Sequence, residues 1–239
     1  MNGKFLFRYR GQIPILLFLL VIPFVYYTEY ENFSQKLVRE NMVVSFLISF
    51  AGSMIRVYTV GKTPAGTSGR NRKKQIAKQL NKTGIYSIVR HPLYLANFLI
   101  WLGVSMYTLN TLFTIILSVF FFLYYKKIIE TEENFLKKKF KIEFSLWKQY
   151  TPKFCPSLNN YNPSDYSFSL KTVLKREYSS FLATIFSFVY MQTLINYFNE
   201  EKIIINTNMW IVLITAISIT LILRTLKKYT SILNQEGRT

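Results

Sequence analysis

Residues 93–125 read LYLANFLIWLGVSMYTLNTLFTIILSVFFFLYY. About 20 residues of helix cross the hydrocarbon of a bilayer, so this run is too long for one span. Its polar interruption at Thr108, Asn110 and Thr111 predicts two helices joined by a tight turn, each somewhat short for a full crossing. Four further apolar stretches, 11–28, 42–60, 178–198 and 209–223, bring the expected membrane helices to six. The fold expected is all-α: a polytopic transmembrane helix bundle of about six helices, including the tight hairpin.

Composition agrees. Half of the 239 residues are hydrophobic and the mean hydropathy is +0.17, yet 30 Lys and Arg face only 12 Asp and Glu, a net charge of +18. A soluble domain does not readily combine these features, whereas a membrane protein with Lys- and Arg-rich cytoplasmic loops does. A nucleic-acid binder would explain the charge but not the Phe, Leu and Ile blocks. One Cys and one His exclude an internal disulfide and any Cys/His zinc cluster within one chain, and no metal is expected.

Charge also orients the bundle. Lys4, Arg8 and Arg10 precede the first stretch, and 29–40 is mixed and slightly acidic. Residues 61–90 are strongly basic, the turn near Asn110 is uncharged, 126–176 is Lys-rich, 199–208 carries two Glu and one Lys, and the end is basic again. This alternation puts both termini and both large loops in the cytoplasm. No small-residue cleavage site follows the first stretch, which is expected to remain as a helix. The division expected is two membrane helices in 1–60, a core in 61–156, a cytoplasmic linker in 157–176 and two further helices in 177–239.

Two clusters carry chemistry. The first is Asn81-Lys-Thr-Gly84-Ile-Tyr86-Ser-Ile-Val-Arg90-His91-Pro92-Leu93-Tyr94. Gly84 permits a turn, and Pro92 suits the first turn of a helix while disfavouring a helical His91. Arg90 and His91 then sit where a basic loop meets a helix start, whose unpaired N–H groups attract an anion. Read singly, Arg90 is as well explained as a snorkelling anchor and Tyr86 and Tyr94 as interfacial aromatics. The second cluster, Glu130-Thr-Glu132-Glu133, follows the second arm of the hairpin. Beyond it Leu136, Phe140, Phe144 and Trp147 share one helical face, predicting a cytoplasmic amphipathic helix on the membrane surface, ended at Pro152. Neutralisation of Lys126 and Lys127 is the plain alternative for the Glu residues.

The series Gly84-x-Tyr86, Arg90-His91-Pro92-x-Tyr94, a helical hairpin, Glu132-Glu133-x-x-Leu136 and Phe140…Pro152-x-Phe154-x-Pro156 resembles the isoprenylcysteine carboxyl methyltransferase family, which is related to the phospholipid N-methyltransferases. The resemblance covers about 80–156. It implies an integral membrane enzyme, expected in the cell (inner) membrane of a bacterium, that uses S-adenosylmethionine (SAM). It also implies a SAM pocket formed by Gln79, Leu80, Asn81, Tyr86, Arg90, His91, Pro92, Leu93, Tyr94, Glu132 and Glu133. The chemistry fits: Arg90 and the helix start suit the SAM carboxylate, Glu132 or Glu133 its ammonium, and Tyr86 or Tyr94 its adenine or cationic methyl. Methyl transfer needs alignment and exclusion of water rather than a protein acid or base, so no catalytic side chain is expected. The chain departs from the family at Leu95-Ala96, where a Gly is common, and at Lys141, Phe144 and Trp147, in place of a Gly and two Tyr. The Arg that holds an acceptor carboxylate in the family has no clear counterpart.

For the acceptor the candidates are Arg56, Arg70, Lys126 and Trp147. Arg56 and the basic 67–74 stretch, with no acidic partner evident in the sequence, suggest an anionic membrane lipid methylated on a carboxylate or phosphate oxygen rather than on nitrogen. A basic loop beside an anionic leaflet is the simpler reading. Rival classes are an NADPH-dependent sterol-reductase-like enzyme, a transporter and a non-catalytic membrane protein; a transporter predicts inverted repeats and broken helices.

Overall fold

Two glycines set the centre of the bundle. A Cβ on Gly103 would stand 2.3 Å from the Ser45 carbonyl oxygen, and one on Gly52 would stand 2.6 Å from that of Ala96. Backbone therefore touches backbone between helices Gln35–Lys62 and Pro92–Met106. Ser45, Ser49, Gly52 and Ser53 form the buried stripe that permits this, and Ser49 donates to the Ile100 carbonyl at 2.8 Å. Small residues serve helix pairs in a bilayer this way, because lipid supplies no hydrophobic drive between helices.

The computed structural model describes residues 3–9, 16–67, 75–203 and 205–238. Its helices are α1 (Gly3–Tyr9), α2 (Leu17–Tyr26), α3 (Gln35–Lys62), α4 (Ile85–Ile88), α5 (Pro92–Met106), α6 (Thr111–Tyr150), α7 (Leu170–Glu200) and α8 (Thr207–Tyr229). Among the described residues there is no strand, only an isolated bridge between Gly84 and Asn162. The protein is a helical membrane bundle: α3, α6, α7 and α8 are long and apolar enough to cross a membrane, while α2 and α5 are shorter apolar helices. These six lie on the six expected stretches. Arg10, the beginning of the first stretch and the 68–74 stretch, with Arg70, lie outside the described residues.

Caps fix the starts. Ser34, Asn110, Ser169 and Asn206 each accept a backbone N–H of the turn they precede, as good N-caps do. The polar break is indeed the hairpin turn. Asn110 caps α6 and also donates to Thr28 at 2.8 Å, while Tyr30 donates to the Thr108 carbonyl at 2.8 Å. The second arm is not short. It runs on through the Glu cluster as helix as far as residue 140, just before the kink at Lys141, roughly 45 Å at 1.5 Å per residue.

A single residue redirects α6: Lys141 has φ 43° and ψ −109°. Beyond it the chain folds back, with Thr151 donating to the Ser87 carbonyl at 3.3 Å, Pro152 accepting from Arg90 N–H at 2.9 Å and the Phe154 ring 6.1 Å from that of Phe122. The apolar face expected to lie on the membrane surface is thereby turned onto the protein. Phe144 and Trp147 are buried beside Leu80, with Tyr86, Leu136 and Phe140 around them. At the same end, Gly237 accepts from Ala65 N–H at 2.9 Å and Leu6 of α1 is buried among Tyr94, Tyr124 and Tyr125.

On α8, by contrast, only Leu213 and Ala216 are buried, leaving an apolar surface suited to lipid. Gly103→Leu is expected to cost about 1–3 kcal/mol or more by overpacking against a backbone that has no room to move. Ile214→Ala on the exposed face of α8 should stay within about 0.5 kcal/mol of the parent. Thermal unfolding in the same detergent checks both.

Candidate functional site

Pro92 at the first position of α5 places His91 immediately outside the helix, with φ −125° and ψ 63°, and holds Arg90 beside it. α6 brings its carboxylates to the same point. His91 Nε2 lies 3.1 Å from Glu133 Oε1, and His91 Nδ1 lies 4.0 Å from Glu132 Oε2. Tyr94, one turn into α5, donates its hydroxyl to Glu132 at 2.9 Å, and its ring stacks on His91 at 5.7 Å. Lys148, returned by the bend at Lys141, reaches the other oxygen of Glu133 at 3.3 Å. Arg90, His91 and Glu133 are buried, so these pairs act in a medium that screens charge weakly.

One member of the group is incompletely used. Arg90 is 8% exposed. Its Nη1 stands 3.5 Å from Glu133 Oε1, but neither Nη1 nor Nε has a hydrogen-bond partner among the described residues. Buried donors are normally satisfied, and an orphaned one calls for a reason. A ligand carboxylate would supply it.

Beside the cluster opens a cleft of about 500 Å³, within the range of small-molecule sites. Gln79, Leu80, Asn81 and Tyr86 line it, with Lys62 and Thr63 from the end of α3 and Phe140 from α6. Tyr86 joins the two regions. Burial pushes its phenol up to about 12, the Glu132 charge adds to this, and hydrogen bonds with Thr63 and Asn81 and the Arg176 charge pull against it. At neutral pH Tyr86 is therefore an uncharged aromatic wall next to a carboxylate.

The sequence candidates thus fall into groups. Arg90, His91, Tyr94, Glu132 and Glu133 converge, and Gln79, Leu80, Asn81 and Tyr86 line the adjoining cleft. Pro92 and Leu93 form the first turn of α5 between them. The acceptor candidates do not gather. Lys126 is exposed on α6, and Trp147 is buried and donates its indole N–H to the Tyr86 carbonyl at 2.9 Å. Arg56 does have an acidic partner, contrary to the premise on which it was chosen: its Nε meets Glu177 of α7 at 2.7 Å. Its Nη1 donates to Asn97 and its Nη2 to Ser180. Sequence reading missed Glu177 because 121 positions separate it from Arg56. It missed Lys148 because the bend at Lys141 involves neither Gly nor Pro.

The fold and site define a class, a helical membrane protein whose polar end carries a buried carboxylate–histidine–arginine cluster beside a cleft. Residues 41–143, a little under half of the chain, match the family model described as phospholipid methyltransferase. The chain is similar to the cobalt-zinc-cadmium resistance protein CzcN of Cupriavidus metallidurans, 40% identical over 79 residues, which cover 33% of this chain and 36% of that one. It is also similar to the nickel-cobalt-cadmium resistance protein NccN of Alcaligenes xylosoxydans xylosoxydans, 33% identical over 105 residues, covering 44% and 47%. The protein-S-isoprenylcysteine O-methyltransferase of Schizosaccharomyces pombe is 28% identical over 127 residues, covering 47% and 54%. The chain spans between about a third and a half of the length of these curated relatives. No solved structure gives a significant match.

The Arg56–Glu177 pair makes a prediction of its own. Arg56→Met removes the guanidinium that lies 2.7 Å from the buried Glu177 carboxylate and should destabilise the protein by up to about 3–5 kcal/mol, whereas Arg56→Met with Glu177→Leu should cost less than the single change. Unfolding of both variants in detergent measures it.

Proposed function

We propose that this protein is a SAM-dependent integral membrane methyltransferase acting on a membrane-embedded lipidic acceptor. The observation that carries the reading is the meeting of Glu132 and Glu133 with Arg90, His91 and Tyr94, beside a cleft walled by Gln79, Leu80, Asn81 and Tyr86. The unsatisfied donors of Arg90 fit the carboxylate of SAM, and the half-exposed Glu132 fits its ammonium. Tyr86 and Tyr94 offer aromatic faces, which attract a sulfonium charge.

When bound, SAM supplies an electrophilic methyl group on a good leaving group. The protein has then to align and to exclude water. Arg90 and Glu132 fix one end of the donor, and Tyr94, hydrogen-bonded to Glu132, cannot swing away. Glu133 holds His91, Arg90 and Lys148 in place. The protein's own part involves no proton transfer and no covalent intermediate.

A membrane acceptor is supported by the position of the site at the last turn of α3, the start of α5 and the stretch of α6 that follows its apolar part. Methylation on oxygen is favoured over nitrogen: Lys62 and Lys78 line the cleft beside the Lys82–Glu143 pair, which suits an anionic acceptor, and the Schizosaccharomyces pombe relative is named for an O-methyl transfer. The basic end of the bundle and both chain ends lie in the cytoplasm by the distribution of Lys and Arg.

Purified protein in detergent should bind S-adenosylhomocysteine in calorimetry. His91→Ala and Glu132→Gln should each weaken binding about tenfold or more, by loss of charge-assisted contacts. With radiolabelled SAM and a total membrane extract, label should pass to a lipid fraction and be released as methanol by mild base. Base-stable label would exclude a carboxyl ester and leave transfer to a phosphate oxygen or to nitrogen, and no binding in the parent protein would overturn the reading.

A further inference from the structure

The cleft has a wall that lies beyond the family match, which ends at residue 143. Ser164, Asp165 and Tyr166, from the segment joining α6 to α7, line it. That segment is held at both ends. Asn162 accepts from Gly84 N–H at 2.7 Å and its own N–H donates to Ser87 at 2.9 Å. At the far end Ser169 N–H donates to the Gly61 carbonyl at 2.9 Å. The wall is therefore stretched across the cleft from the start of α4 to the last turn of α3.

Tyr166 is fixed further. Gln79 donates to its hydroxyl at 3.1 Å, and the Arg238 guanidinium lies 5.0 Å from its ring centroid while donating to the Ser167 carbonyl. Arg238 does not itself line the cleft. Asp165 is the chain's sole aspartate, and no ion pair joins it to another described residue.

We propose that this wall is the nucleoside subsite of the cleft, with Asp165 accepting hydrogen bonds from a ribose diol and Tyr166, steadied by Gln79 and Arg238, stacking on the purine. The assignment rests on the proposed use of SAM and adds to it the half of the donor that the Arg90–Glu132 cluster does not reach. An ionised carboxylate is a pure acceptor with room for two donors, which matches two adjacent hydroxyls, and acidic residues hold ribose this way in other nucleotide sites. Aromatic rings stack on any base. Asp165 and Tyr166 both line the one cleft of about 500 Å³.

The test compares S-adenosylhomocysteine with its 2′-deoxyadenosyl counterpart in calorimetry on the purified full chain. The parent protein should prefer the ribose form by about ten- to a hundredfold, the worth of a hydrogen bond to a charged group. In Asp165→Asn and Asp165→Ala that preference should fall towards one, with the unfolding temperature unchanged because Asp165 is exposed. Tyr166→Ala should weaken both ligands alike, and Arg238→Ala should do so to a lesser degree. A parent preference near one, or a preference kept in both Asp165 variants, overturns the subsite while leaving SAM binding standing. Failure of the parent to bind S-adenosylhomocysteine at all overturns the donor assignment itself.

Discussion

Glu133 is the point to which the polar end of the molecule is tied. One carboxylate faces His91 at 3.1 Å, Lys148 at 3.3 Å and Arg90 at 3.5 Å, and these come from the α4–α5 junction and from the far side of the bend in α6. A buried carboxylate is tolerated only with such company, because leaving water costs an ion several kcal/mol. The demand works in both directions for Arg90, which is buried and needs Glu133 as Glu133 needs it. The α5 start, the body of α6 and its returning end are consequently locked together by charge where apolar packing alone would let them slide.

That lock explains two features that propensity does not. The first is the length of α6, which continues without interruption from the membrane into the Glu cluster; a break at the membrane surface would let the carboxylates drift from His91. The second is the positive φ of Lys141, a conformation that costs a non-glycine residue roughly 1–3 kcal/mol. It returns Trp147 to the Tyr86 carbonyl and Lys148 to Glu133, and the buried Phe144 and Trp147 offset the strain by the area they remove from water.

Much of this was legible in the residues. Apolar stretches and their lengths gave the helices, Thr108 and Asn110 marked the hairpin because a turn inside apolar surroundings must satisfy its own backbone, and Pro92 fixed where α5 begins. Glu132 and Glu133 were conspicuous because acids are scarce in this chain. What stayed hidden depends on distant parts of the sequence. The bend at Lys141 lacks the Gly or Pro that would announce it. The amphipathic face of α6 was visible as a pattern, but a pattern does not say whether lipid or protein covers it, and here Leu80 and Tyr86 do. Arg56 looked uncompensated for the same reason, since Glu177 approaches it only through the packing of α7 on α3.

The Arg56–Glu177 pair also gives the last two helices a physical part in the molecule. α7 carries Glu177 to Arg56, Arg56 donates to Asn97, and Asn97 lies 3.5 Å from the Tyr125 hydroxyl. The Tyr125 ring in turn packs on Tyr94 at 4.9 Å, and Tyr94 donates to Glu132. A helix outside the matched segment is thus in contact, link by link, with the carboxylate beside the cleft. Polar side chains within a helix bundle are costly in lipid unless each finds a partner, so this line constrains side-chain positions more tightly than apolar packing would. Its consequence is that α7 and the cluster at α5 and α6 are one structural unit: moving Glu177 disturbs a chain of contacts that ends on Glu132.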